Sequence, residues 1–274
     1  MSESLERAHI LRGMIDSHFH SLEMAREGLD PKAVLASCFE SGLATALDVA
    51  TTPENLSERR HLTGMFPGIF YSAGYYPSET ARFAGSKEAA GRMMDTLERE
   101  LRNERSIAVG EIGLDEYHDY APVESQLLLL RAQLEVAQRE RLPVIIHNRN
   151  SDRLTYEALR SAGLEQGGVM HCFSSDYENA RRFIDLGFLI SFAGNVTFKN
   201  APDLQETARR LPAESLLVET DSPYLAPVPV RGKRNHPGYV GYTYEFVAQL
   251  KGMAVEDLVE QVSQNFLQLF RIAD

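Results

Sequence analysis

His18 and His20, in the run Asp16-Ser17-His18-Phe19-His20, are the first residues in the chain whose type and spacing suit chemistry. The run closes a short apolar segment, Gly13-Met14-Ile15, and reads as the end of a buried strand. Side chains alternate along a strand, so both imidazoles face one side. Neutral ring nitrogens placed this way suit one divalent cation such as zinc, manganese, nickel or iron. A pair of buried histidines can also serve only as hydrogen-bonding groups, so the missing ligands must come from elsewhere.

Other apolar runs end in suitable groups. Ser106–Ile112 carries Glu111, Pro143–His147 ends in His147, Gly167–His171 ends in His171, and Leu216–Glu219 leads into Thr220-Asp221. A carboxylate among apolar neighbours is costly unless it is paired or ligating. The set therefore predicts a centre of one or two divalent ions, magnesium, manganese, zinc or similar. His18, His20 and Asp221 would hold one ion and His147 and His171 the other, with Glu111 bridging. Such a centre activates water and neutralises charge on a phosphoryl oxygen. Asp221 is the expected general base, because it can touch both ion and water.

The elements that must position these groups follow from periodicity. Eight short apolar runs read as strands: Gly13–His18, Leu43–Val49, Gly68–Ala73, Ser106–Ile112, Pro143–His147, Gly167–His171, Phe188–Phe192 and Leu216–Glu219. They are almost continuously apolar, as parallel strands covered on both faces are. Helical patterns separate them, among them Pro31–Ser41, Pro122–Arg139, Asp152–Ala162 and Glu256–Phe270. Alternating β and α elements with no compositional break predict an α/β protein. The expected form is a single (β/α)₈ TIM barrel domain over residues 1–274, with its ligands at the C-terminal strand ends.

Bulk properties narrow the function. The chain has 274 residues, 43% hydrophobic and 24% charged, which is ordinary for a soluble globular protein. A net charge of −11 argues against gripping long duplex nucleic acid. It does not argue against taking a phosphate at a metal centre, where cations supply the positive charge. Cys38 and Cys172 are too few for a disulfide framework, so a reducing cytoplasm is expected. The first twelve residues lack an apolar stretch, so no signal peptide is expected, and no run suits a membrane span. No dinucleotide or phosphate-loop glycine pattern follows a strand, so a nucleotide cofactor is not expected.

Taken together, Asp16-Ser17-His18-Phe19-His20, Gly110-Glu111-Ile112-Gly113-Leu114-Asp115, Pro143-Val144-Ile145-Ile146-His147, His171-Cys172-Phe173-Ser174 and Glu219-Thr220-Asp221-Ser222-Pro223 resemble the TatD deoxyribonuclease family. The resemblance runs from the first strand to Asn265-Phe266. It implies a (β/α)₈ barrel and metal-dependent hydrolysis of DNA, often from the 3′ end. It also places His18, His20, Glu111, His147, His171 and Asp221 on the family's ligand positions. Two departures stand out. The family's Gly-x-His-Pro reads Gly74-Tyr75-Tyr76-Pro77 here, and its Arg-Gly-Lys-Arg-Asn-Glu-Pro reads Arg231-Gly232-Lys233-Arg234-Asn235-His236-Pro237.

Arg149, Arg231, Lys233 and Arg234 are candidate phosphate contacts. Tyr75 and Tyr76 are candidates to stack on a base of single-stranded or terminal DNA. His9, His61 and His118 have no ligand context, and Cys172 reads as a buried structural thiol. The competing activity is hydrolysis of an ester or amide, such as removal of a D-amino acid from transfer RNA. A non-enzymatic scaffold is the third reading. No membrane or obligate protein partner is indicated.

Overall fold

The computed structural model describes residues 8–272. Eight strands alternate with helices. In chain order the first half contains β1 (Ile15–Phe19), α1 (Ser21–Arg26), α2 (Pro31–Glu40), β2 (Thr45–Asp48), α3 (Leu56–Thr63), β3 (Ile69–Ala73), α4 (Thr80–Phe83), α5 (Lys87–Leu101), β4 (Ser106–Asp115) and α6 (Val123–Glu140). The second half contains β5 (Val144–Arg149), α7 (Asp152–Ala162), β6 (Gly168–Met170), α8 (Tyr177–Ile184), β7 (Phe188–Phe192), α9 (Pro202–Arg210), β8 (Leu216–Val218), α10 (Val240–Lys251) and α11 (Val255–Phe270). The strands form one sheet whose spatial order equals chain order, β1 to β8. Strand order equal to chain order, with a helix in each crossover, is the (β/α)₈ topology.

The chain divides into two compact units. The first comprises the chain up to Asp48 together with Glu58–Ile69 and Phe192–Phe266. The second comprises Val49–Ser57, Phe70–Ser191 and the chain from Leu267 on.

In the first unit β1 pairs in parallel with β2. A bridge between Phe19 and Ser222 joins the chain beyond β8 to the end of β1. Tyr244 of α10 is fully buried and pins β1: its hydroxyl donates to Ile15 O at 3.1 Å. Met14, Ile15, Phe19, Leu217, Val218 and Phe266 form part of the buried core. Each such side chain contributes roughly 1.5–3 kcal/mol by leaving water.

In the second unit β3 to β7 run parallel in succession. β5 is buried from Val144 to Ile146, as its unbroken apolar sequence requires. The helices begin where the side chains allow. Asp30 caps α2 by accepting from Lys32 N and Ala33 N, with Pro31 at the first position. Asp176 caps α8 by accepting from Asn179 N at 2.8 Å. α6 differs from a purely apolar stripe. Gln126 and Gln133 sit on its buried face, and each closes a pair of hydrogen bonds on backbone, of Asp115 and of Tyr75 respectively. Leu127 on the same helix is only half-buried.

Candidate metal centre

In the first unit β1 places His18, and the residue just after it places His20, on one side. Their Nε2 atoms lie 3.1 Å apart, and the rings meet edge to face. Asp221 Oδ1 lies 3.8 Å from His18 Nε2 and 3.5 Å from His20 Nε2. All three residues are buried. Two anchors fix this group. Asp221 N donates to His18 O and His20 N donates to Ser222 O, both at 2.9 Å. Asp221 itself has φ +53°, a left-handed conformation that aspartate tolerates better than most residues.

Asp16 supports the same group from behind. Its Oδ1 accepts from His18 N and Thr220 N, and its Oδ2 accepts from Thr220 Oγ1 at 2.6 Å. Burial pushes its carboxyl up to about 7, against the hydrogen bonds from Thr220 and His18. Asn235 holds the following loop, donating through Nδ2 to Thr220 O at 2.8 Å and to Tyr224 O at 2.5 Å.

In the second unit β4 places Glu111 and β5 places His147, while His171 follows β6. Glu111 Oε1 lies 3.0 Å from His147 Nδ1 and 2.7 Å from His171 Nε2. One ligand atom from each of the three lies within 4.8 Å of the others. Glycines permit this approach. A Cβ at Gly113, which pairs with His147, would stand 1.9 Å from His147 O. A Cβ at Gly110 would stand 2.6 Å from Ile145 Cβ. Burial raises the Glu111 pKa, but His171 and His147 outweigh it and hold the carboxyl well below its ordinary value. His147 is shifted up, because hydrogen bonds to Asp115 and Glu111 outweigh its burial.

Asp115, not singled out by sequence, completes the arrangement. Its Oδ2 lies 3.0 Å from His147 Nε2 and 2.9 Å from His118 Nδ1. Both partners of the ring are carboxylates, which only accept, so His147 donates from Nε2 to Asp115 and from Nδ1 to Glu111; with Asp115 holding Nε2–H, Nδ1 is the nitrogen that would ligate an ion. A carboxylate behind a histidine is the usual support of a metal ligand.

Both groups fit a divalent cation. Imidazole nitrogens and carboxylate oxygens point at one another in a buried setting, the mixed donor set that zinc, manganese or iron takes. His18, His20 and Asp221 would hold one ion. Glu111, His147 and His171 would hold another.

The other candidates separate sharply. Tyr75 does not offer a face to a substrate: the residue is 1% exposed, and its hydroxyl donates to Glu54 Oε1 at 3.1 Å. The Gln133 amide on its backbone and the Arg82 guanidinium 5.7 Å from the centre of its ring hold it there. Tyr76, the next residue, reaches the ligands instead, with its hydroxyl 3.1 Å from His147 Nε2. Arg149, Arg231, Lys233 and Arg234 are exposed. The Arg149 guanidinium lies over the Tyr117 ring and that of Arg231 over Phe198. His236 is buried, with Nδ1 accepting from Gly238 N at 3.2 Å, and serves as a cap. His118, which has no ligand context in sequence, bonds Asp115. The three-residue spacing of Asp115 and His118 was the available signal.

Known structures share the fold, and known sequences match along most of the chain. The crystal structure of YJJV, a TatD homolog from Escherichia coli, superposes with a TM-score of 0.86 at 28% identity, covering 96% of this chain and 100% of that one. The fold is the (β/α)₈ barrel, and with its buried donor groups the chain is a metal-dependent hydrolase. A family model described as TatD related DNase matches residues 15–271, and the chain belongs to the TatD family. The uncharacterized metal-dependent hydrolase YcfH of Escherichia coli is 38% identical over 262 residues, 94% of this chain and 96% of that protein. The uncharacterized metal-dependent hydrolase BU355 of Buchnera aphidicola is 33% identical over 264 residues, 94% of this chain and 99% of that protein.

Proposed function

We propose that this chain is a metal-dependent deoxyribonuclease that hydrolyses phosphodiester bonds at the 3′ ends of single-stranded DNA. The observation that carries the reading is Glu111 Oε1 set between His147 Nδ1 and His171 Nε2 in a chain matched along residues 15–271 by a DNase family model. The ligands in this reading are His18, His20 and Asp221 in the first unit and Glu111, His147 and His171 in the second.

A bound divalent ion lowers the pKa of water and neutralises charge developing on the phosphoryl oxygen. Asp221 accepts the proton of the attacking water. Glu111 supplies a carboxylate oxygen to each ligand histidine of its unit. Asp115 keeps His147 in the tautomer that presents Nδ1. Arg231, Lys233 and Arg234, on the exposed turn after β8, attract the phosphates of the strand. The cytoplasm is the compartment that suits Cys38 and Cys172, neither of which is in a disulfide.

The test is the full chain with added Mg²⁺, Mn²⁺ or Zn²⁺ on end-labelled single-stranded DNA, with an aminoacylated RNA in parallel. Stepwise shortening of the DNA from its 3′ end, lost in Glu111→Ala, supports the reading. Deacylation without DNA cleavage replaces it with the ester-hydrolase activity. Cleavage that survives Glu111→Ala belongs to a contaminant.

A further inference from the structure

Between β4 and α6 the chain carries three aromatic rings into solvent. Tyr117 is 62% exposed, Tyr120 38%, and the His118 side chain 49%. The backbone here is held from both ends. Asp115 Oδ1 accepts from Tyr117 N at 2.9 Å and from His118 N at 2.8 Å. The buried Gln126 donates from Nε2 to Asp115 O and to Ala121 O, both at 2.9 Å.

The rings form a continuous run that starts at a metal ligand. Tyr76 lies against His147 with centroids 4.8 Å apart, and against Tyr120 at 5.8 Å. Tyr120 stacks on His118 at 5.1 Å and 27°. His118 meets Tyr117 edge-on at 4.9 Å. Beside the run is a cleft of about 320 Å³, lined by Asp115, Tyr117, His118 and Gln126 among others. That volume is in the range of small-ligand sites, roughly 300–1,000 Å³.

The charges of the cleft choose which part of a ligand enters. Glu116 and Asp119 also line it, and Asp115 is already engaged by His147 and His118. Arg149 is the neighbouring cation, with its guanidinium 5.0 Å from the centre of the Tyr117 ring. Two free carboxylates repel phosphate, so the cleft takes an uncharged planar group. The carboxylates can accept from exocyclic amino groups on it. Rings already fixed in place lose little conformational entropy when another ring stacks on them.

We infer that Tyr117 and His118, the latter backed by Tyr120, form a stacking subsite for an unpaired, amino-bearing nucleobase of the substrate. The inference rests on the deoxyribonuclease reading, since it assigns the base of the nucleotide whose phosphate lies at the metal centre.

The experiment separates the two ideas by measuring binding without turnover. Deoxyadenosine monophosphate and deoxyribose phosphate are titrated calorimetrically into the full chain, its Tyr117→Ala, Tyr120→Ala and Tyr117→Phe variants. The expected result is tighter binding of the nucleotide than of the sugar phosphate. Its advantage falls about 5- to 150-fold in the alanine variants and survives in Tyr117→Phe. Equal affinity of the two probes for the unaltered chain overturns the subsite, as does an advantage unchanged in both alanine variants. If the advantage is present but no DNA is cleaved, the subsite stands and the deoxyribonuclease reading falls. If DNA is cleaved but the advantage is absent, the subsite alone falls.

Discussion

Asp115 Oδ2 lies 3.0 Å from His147 Nε2, on the side of the imidazole opposite Glu111. The carboxylate fixes both the tautomer and the plane of the ring. Asp115→Asn keeps an oxygen for the backbone of the 116–122 loop but puts an amide donor or a neutral acceptor on His147. The expected outcome is a fall in metal affinity of about 10–100-fold with the fold retained. Competition with a chelator of known affinity, alongside circular dichroism, checks it.

Glu111 and Asp221 should fail in different ways. Glu111→Ala removes the oxygen shared by His147 and His171, so both bound metal and activity fall. Losing several kcal/mol of metal-derived stabilisation corresponds to at least about a 10²-fold loss of rate. Asp221→Asn keeps an oxygen donor near His18 and His20 but has no basic carboxylate. Its kcat is expected to drop by about 10²–10⁴-fold with a smaller change in KM. Metal content by elemental analysis, read beside kcat and KM, distinguishes the two variants.

A buried ion pair braces the first unit. Asp48 and Arg59 are 0% and 1% exposed, and Arg59 also donates to Asp48 O at 2.7 Å. Ser21 Oγ and Thr63 Oγ1 complete the carboxylate's hydrogen bonds. Burial nonetheless raises the Asp48 pKa, with the Arg59 charge opposing it. Arg59→Met strands that carboxylate in the interior and is expected to cost about 3–5 kcal/mol. Urea unfolding of the two proteins measures the difference, and a loss below about 1 kcal/mol contradicts the assignment.

Glu54 gives a pH dependence of defined sign. Burial raises its pKa, but hydrogen bonds from Thr52 and Arg82 outweigh that and leave it below the ordinary 4.5. A depressed folded-state pKa contributes stability that is complete above the unfolded value and is lost as pH falls through the folded one. Glu54→Gln is therefore less stable than the unaltered chain at pH near 7, and the gap closes in strong acid. The group is partly solvated, so the difference stays under about 1 kcal/mol. Thermal melts across that pH range check it.

The sequence alone determined the parts that depend on neighbours along the chain. Apolar runs located all eight strands, and α7 begins and ends where its pattern does. Strand alternation was enough to put His18 and His20 on one side. Two short helices, α1 and α4, escaped notice because six and four residues are too few for a helical period. Tertiary structure decided the rest. Whether a polar side chain can be buried depends on a partner far away in sequence, as Gln133 is for Tyr75 and Thr220 for Asp16. The same condition turned Tyr75 inward and sent Tyr76 to His147, and it drew Asp115 and His118 together behind that ligand. Periodicity is a property of residues a few places apart, whereas the cost of burying a charge or an amide is settled only when distant segments meet.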